Sequence, residues 1–173
     1  MEITQALAIA ERVKAELAPF TERIEIAGSV RRRKPQVKDI ELVAIPTRVV
    51  SDLFGDETAV DPDFCAVVNR WTKIKGEPTG RYTQRELPEG INLDLFIVDA
   101  NTWGMTLAVR TGSADYSAHV LGTRWAALGY TSRESVLYRY GCPTYIREEA
   151  DLFTLLGLPW VEPCDREWPG RSV

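Results

Sequence analysis

The chain has 173 residues, of which 45% are hydrophobic and 27% are charged, a balance typical of one compact soluble domain or of two small lobes. Its 21 basic and 25 acidic residues give a net charge of −4, so any contact with a nucleic acid has to come from a local basic patch. A single histidine, His119, excludes a multi-histidine zinc site. The three widely spaced cysteines exclude a disulfide framework and fit a reducing, cytoplasmic compartment. Any chemistry must therefore be carried by carboxylates.

The first hundred residues predict helices around a mixed sheet. Apolar residues at helical spacing indicate an amphipathic helix over 2–18, which Pro19 ends. No apolar run approaches the length of a membrane span, so no membrane partner is expected. The other elements predicted here are, in chain order, strand 23–27, helical turn 30–34, strand 38–46, loop 51–62, helix 64–71 and strands 71–75, 81–87 and 91–98.

After residue 100 the pattern becomes mainly helical. Helices are predicted over 102–110 and 113–128, the second with Ser113 as its N-cap. A strand at 136–140 and a helix at 148–156 follow. Because strands and helices do not alternate strictly, the fold class is predicted as α+β, with lobes at 1–100 and 101–173.

Three acidic residues on predicted strands are the candidate catalytic and metal-binding groups. Asp39 and Glu41 are two apart on one strand, so their side chains share a face, and Asp94 has the same setting on another strand. Carboxylates on adjacent strands form the all-oxygen site that two Mg²⁺ or Mn²⁺ ions prefer. The alternative is an ordinary acidic face exposed to solvent.

A Gly-Ser pair and a basic run precede these acids. Gly28 and Ser29 end a predicted strand where backbone N–H groups and a hydroxyl can hold a phosphate. The basic residues Arg31 to Lys34 follow, with guanidinium groups suited to bidentate phosphate contacts. A phosphate held by Ser29 and Arg32 would lie close to metals at Asp39 and Glu41.

The segment GSVRRRKPQVKDIEL resembles the nucleotidyltransferase signature of the family X DNA polymerases, in the polymerase beta-like nucleotidyltransferase superfamily. The similarity continues in NLDLF, in Thr111-Gly112-Ser113 before a helix, and in EEADLFTLLGLPWVEPCDRE near the C-terminus. The resemblance implies a nucleotidyltransferase palm with a mixed sheet and flanking helices over 1–100. It implies a small α+β thumb lobe that binds the nucleotide over 101–173, with no separate DNA-gripping lobes.

The resemblance also implies roles for individual residues. Asp39, Glu41 and Asp94 would bind two Mg²⁺ or Mn²⁺ ions, while Gly28, Ser29 and Arg32 would hold the triphosphate. The remaining nucleotide-binding positions implied are Val109, Arg110, Thr111, Gly112 and Ser113. The chain departs from the family pattern at Val109-Arg110, which replaces an aromatic pair that crowds the sugar 2′ position, so weak discrimination against ribonucleotides is expected.

The function implied is a monomeric DNA-directed DNA polymerase that adds nucleotides to a primer 3′ end, filling short gaps in DNA repair. Its partners would be primer-template or gapped DNA and nucleoside triphosphates, with an unnamed ligase as a further partner. It would act in the cytoplasm, or as a viral protein in the host cytoplasm. The alternative is template-independent tailing, or nucleotidylation of RNA, a protein or a small molecule.

Overall fold

The computed structural model describes residues 1–50 and 58–168 and is built around a five-stranded sheet of order β1-β2-β7-β6-β5. The central pair, β2 and β7, is parallel, and the remaining pairs are antiparallel, so the sheet is mixed. Its strands are β1 (Thr21–Ile26), β2 (Asp39–Pro46), β5 (Thr72–Gly76), β6 (Tyr82–Glu86) and β7 (Asn92–Ile97).

One face of the sheet is closed by α1 (Ile3–Leu17) and α3 (Pro62–Val68). The buried stripe of α1 consists of Ala6, Ile9, Ala10, Val13 and Leu17. This helical spacing puts an apolar side on the strands, where Ile40, Leu42 and Leu93 are fully buried. Burial of this apolar area anchors β2 and β7, the two strands that carry the candidate acids.

The opposite face packs against α4 (Trp103–Thr111) in one part only. Val43 and Phe96 are buried there with Trp103 and Leu107 of α4. Because side chains alternate along a strand, Asp39 and Glu41 project from the same face as Val43. The short helix α2 (Gly28–Arg31) contacts β2 beside them. This face is therefore apolar under α4 and acidic near the beginning of β2.

The C-terminal region has its own hydrophobic cluster and a second sheet. Residues of α4, including Met105 and Ala108, pack there with Tyr116, Leu137 and Phe153. Since α4 packs in both clusters, the boundary near residue 100 stays a prediction. The elements of this region are α5 (Ala114–Tyr116), a π-helical segment (Ser117–Gly122), α6 (Thr123–Ala127), β8 (Thr131–Arg133), β9 (Val136–Arg139), β10 (Cys142–Thr144) and α7 (Glu149–Leu156).

The α+β class is confirmed, and three predicted elements differ in detail. The helix predicted over 113–128 contains the π-helical segment, where the Ser117 hydroxyl donates to the carbonyl of Val109 at 2.8 Å. The strand predicted at 136–140 is the middle of a three-stranded sheet. The loop predicted over 51–62 ends in a strand, β4 (Thr58–Val60), which pairs with β3 (Arg48–Val50), while 51–57 lie outside the described residues.

A buried ion network joins α2 to the C-terminal region. The carboxylate of Glu149 on α7 accepts hydrogen bonds from Arg31 and Arg166, each with a shortest distance of 2.6 Å. Arg166 is fully buried and Glu149 is 7% exposed, so each charge depends on the other for solvation. This network holds the Gly-Ser-Arg segment against α7.

No helix within 1–50 and 58–168 is long and apolar enough to cross a membrane.

Candidate active site

The three acidic residues singled out in the sequence meet on one face of the sheet. In the parallel pairing of β2 with β7, Glu41 lies opposite Asp94, and Asp39 lies opposite Asn92. Neighbouring strands are about 4.8 Å apart, and residues two apart share a face, so the three carboxyl groups project from adjacent positions. The structure thus brings Asp39, Glu41 and Asp94 together, with Asp39 nearest the start of β2.

The charges of these acids act on one another. Burial and the nearby Asp94 raise the pKa of Asp39 above its ordinary value. Burial, with Asp39 and Asp94 adding to it, raises the pKa of Glu41 to about 7. Arg110 and Arg32 oppose the shift at Glu41 without cancelling it. The nearby cationic groups among the described residues therefore do not neutralise the negative charge of the three carboxylates.

The close approach of α2 to β2 requires a glycine at position 28. Gly28 has φ +59°, and a Cβ atom there would lie 1.8 Å from Oε2 of Glu41. The backbone N–H of Ala27 also donates to the carbonyl of Glu41 at 2.8 Å. Gly28 thus allows the Glu41 carboxylate to lie against the backbone that leads to Ser29.

Two strand neighbours hold Asp94, and sequence reasoning missed both. Tyr82 Oη and Gln84 Nε2, both on β6, donate to Oδ1 of Asp94 at 2.7 and 2.8 Å. Burial and hydrogen bonding to Asp94 raise the pKa of Tyr82 above its ordinary value, so the phenol stays protonated as a donor. The available signal was the alternation of β6, which puts Tyr82 and Gln84 on one face next to β7.

The donor set suits a hard divalent cation, although the acids do not form a closed cage. Among the described residues, no three His, Cys, Asp or Glu side chains lie close enough together to hold a metal ion as they stand. Asp39, Glu41 and Asp94 nevertheless offer only oxygen donors, and repulsion within the group contributes to the raised pKa values of Asp39 and Glu41. Carboxylate oxygens with unbalanced charge fit Mg²⁺ or Mn²⁺, and binding would require a small rearrangement of side chains.

The candidate phosphate-binding residues Ser29 and Arg32 lie on α2 and directly after it. Ser29 Oγ is buried and has no hydrogen-bond partner among the described residues. Arg32 donates through Nη1 to the carbonyl of Thr111 at 2.8 Å and through Nε to Glu167 at 2.7 Å. The orphaned hydroxyl fits an absent acceptor such as a phosphate oxygen, while Arg32 is already engaged.

The predicted nucleotide-binding residues 109–113 make contacts with different parts of the structure. Val109 packs against the C-terminal cluster, whereas the Arg110 guanidinium lies 4.1 Å above the ring centroid of Phe96. The Thr111 hydroxyl accepts a hydrogen bond from Arg31 at 2.6 Å. Ser113 Oγ accepts from the backbone N–H of Tyr116 at 3.1 Å, as its N-cap position predicts, and Gly112 packs tightly against Tyr116. Only Arg110 of this set faces the acids.

An open cleft of about 810 Å³ lies between the sheet and the C-terminal region. Glu41, Asp94 and Arg110 line it, whereas Asp39, Ser29 and Arg32 do not. Further basic residues on its walls are Arg48, Lys75 and Arg81. The lining also includes Asp99 and Glu134, so the cleft combines two of the candidate acids with a wall of mixed charge.

No family model and no curated protein matches this sequence. Among solved structures, the chain is similar to polymerase beta of Leishmania infantum, solved as a ternary P/T complex, with a TM-score of 0.71 and 16% sequence identity. The similarity covers 96% of this chain and 76% of that one. The chain thus has a polymerase beta-like fold.

Proposed function

We propose that this protein is a metal-dependent nucleotidyltransferase of the family X type, a DNA-directed DNA polymerase that extends a primer 3′ end. The observation that carries the proposal is the register of β2 and β7, which sets Glu41 opposite Asp94 with Asp39 on the same face. Short gap filling in DNA repair is the process that such an activity would serve.

The three carboxylates are the groups that would hold the metal. Asp39, Glu41 and Asp94 supply oxygen donors, and the raised pKa values of Asp39 and Glu41 indicate negative charge that a cation would balance. Two divalent ions bound there would neutralise charge on the phosphates and activate the 3′-hydroxyl. The protein's own task is to hold the acids, and Tyr82 and Gln84 orient Asp94 for it.

The Gly-Ser-Arg segment would bind the triphosphate. Gly28 lets the chain pass directly beside Glu41, which brings the phosphate-binding residues close to the acids. Ser29 Oγ is a buried donor without an acceptor among the described residues, and Arg32 follows three positions later at the C-cap of α2. These contacts position the substrate, which supplies much of the rate enhancement in phosphoryl transfer.

The cleft would receive the nucleic acid and the nucleotide. Its basic residues Arg48, Lys75 and Arg110 line a space that also contains Glu41 and Asp94, while Arg81 there is paired with Glu134. With a net charge of −4, binding to DNA would be modest and would weaken steeply as salt increases. This acidic balance favours a second candidate function, in which the acceptor is a single strand, RNA, a protein or a small molecule.

Primer extension tests the proposal and separates the two candidates. Templated, gapped and single-stranded DNA are each offered with Mg²⁺ or Mn²⁺ and labelled nucleotides. Extension directed by the template, lost in Asp39→Asn and Asp94→Asn, is expected. Asp63→Asn, an exposed acid on α3, is the matched control and should retain activity. Label on single strands only would favour tailing, and full activity in both acid variants would overturn the proposal.

A further inference from the structure

The carboxylate of Glu167 lies against two cations of the segment that would bind phosphate. Its Oε1 accepts a hydrogen bond from Arg32 Nε at 2.7 Å and lies 3.1 Å from Lys34 Nζ. The Arg32 side chain is 11% exposed, so this contact lies largely away from water. An anionic oxygen is therefore already bound between the two cations.

The geometry of the Arg32 guanidinium makes the Glu167 contact compete with the binding of a phosphate. A phosphate or carboxylate binds arginine most strongly through two parallel N–H groups on one edge. Nε of Arg32 is taken by Glu167 and Nη1 by the carbonyl of Thr111, and Nη2 alone has no acceptor within 1–50 and 58–168. Nε and Nη2 share one edge, so a phosphate that binds this edge has to replace the Glu167 carboxylate.

The backbone beside Glu167 is firmly anchored. Ser113 N–H donates to the carbonyl of Arg166 at 3.0 Å, and the Arg166 side chain donates to Val161 and Glu149 at 2.9 and 2.6 Å. Arg166 is fully buried, whereas the Glu167 side chain is 33% exposed. The Glu167 side chain can consequently leave Arg32 by rotation while its backbone keeps its place.

We propose that Glu167 is an internal phosphate mimic that competes with the polyphosphate group of the substrate for Arg32 and Lys34. This inference rests on the proposed function, since it takes Arg32 as a phosphate ligand. A ligand gains from the exchange only when it brings more negative charge than one carboxylate. Glu167 therefore lowers the affinity of this site for phosphate ligands and keeps the cations paired when no substrate is bound.

Binding of inorganic tripolyphosphate, measured by titration calorimetry at fixed ionic strength, tests the inference. Removing a partly exposed competing carboxylate that pairs with both cations should tighten binding about fivefold in Glu167→Ala, with a smaller gain in Glu167→Gln. Glu162→Gln makes the same charge change in the same segment, where Glu162 contacts Trp160 rather than Arg32, and should bind like the wild type. Unchanged or weaker binding in Glu167→Ala would overturn the inference.

Arg32→Ala separates a failure of the inference from a failure of the proposed function. If Arg32→Ala weakens tripolyphosphate binding while Glu167→Ala fails to tighten it, the phosphate site stands and the competition is wrong. If the wild type binds neither tripolyphosphate nor dATP, the proposed function is wrong and the inference falls with it. Melting temperatures close to that of the wild type establish that each variant is folded.

Discussion

Tyr82 Oη donates a hydrogen bond of 2.7 Å to Oδ1 of Asp94, across the antiparallel pairing of β6 with β7. Gln84, directly opposite Asp94, donates to the same oxygen at 2.8 Å. The two donors fix the orientation of a carboxylate that would bind metal, and they leave its second oxygen without these contacts. Partners of this kind tune a metal site although they never touch the metal.

Tyr82→Phe should therefore weaken both Mn²⁺ binding and nucleotidyl transfer about tenfold, the lower end of the usual effect of such partners. Loss of the phenol removes one of the two hydrogen bonds that orient Asp94. Mn²⁺ affinity by electron paramagnetic resonance and primer extension are the two measurements. Tyr145→Phe, a half-exposed tyrosine in the same cleft, should match the wild type. Equal loss in both variants would show that the effect comes from the cleft in general.

The raised pKa of Glu41 predicts how the stability of the metal-free protein depends on pH. This carboxyl titrates near pH 7 in the folded chain and near 4.5 in the unfolded chain. Between these values the folded state holds more protons, so the free energy of unfolding falls as pH rises from 4.5 to 7. Glu41 is half-buried, and the loss should be on the order of 2–3 kcal/mol.

Urea unfolding at several pH values in EDTA measures this loss. Glu41→Gln should remove that part of the pH dependence, because the amide has no charge to desolvate. Glu25→Gln, on neighbouring β1 and paired with Lys14 at the surface, should leave it in place. The same pH dependence in the wild type and in Glu41→Gln between pH 4.5 and 7 would contradict the assignment.

The sequence was sufficient to predict the main elements of the fold. Alternation along β2 predicts that Asp39 and Glu41 share a face, and the helical stripe of α1 predicts the side that packs on the sheet. Both patterns are local and depend on the period of one element. The α+β class follows from the order of such elements and is confirmed by the structure.

Contacts across the chain could not be predicted in this way. Glu149 meets Arg31, which is 118 residues away in sequence, and nothing local indicates that α7 packs beside α2. Sequence reasoning took Arg32 as a free phosphate ligand, whereas Glu167 occupies one of its N–H groups. The strand pairing that puts Tyr82 beside Asp94 likewise depends on the register of two strands joined by a turn.

The buried network around Glu149 predicts a large loss of stability when its charge is removed. Glu149→Ala leaves Arg166 fully buried without its carboxylate and should cost about 3–5 kcal/mol in the free energy of unfolding. Glu148→Ala breaks an exposed pair with Arg23 and the capping box at the start of α7, and should cost less, about 1–2 kcal/mol. Chemical denaturation compares the two neighbours. Similar losses in both would contradict a special role for the buried charge.

The side chain of Arg110 predicts weak discrimination between deoxyribonucleotides and ribonucleotides. Arg110 lines the cleft and stacks on Phe96, where the resemblance to family X implies an aromatic residue beside the sugar. A flexible, hydrated guanidinium excludes a 2′-hydroxyl less strictly than a rigid ring and can also donate a hydrogen bond to it. Single-nucleotide extension with matched dNTP and rNTP should give a dNTP preference below about a thousandfold, a difference of roughly 4 kcal/mol. Arg110→Phe should raise that preference and Arg110→Ala should not, since only the first variant adds a ring. A wild-type preference well above this limit would contradict the prediction.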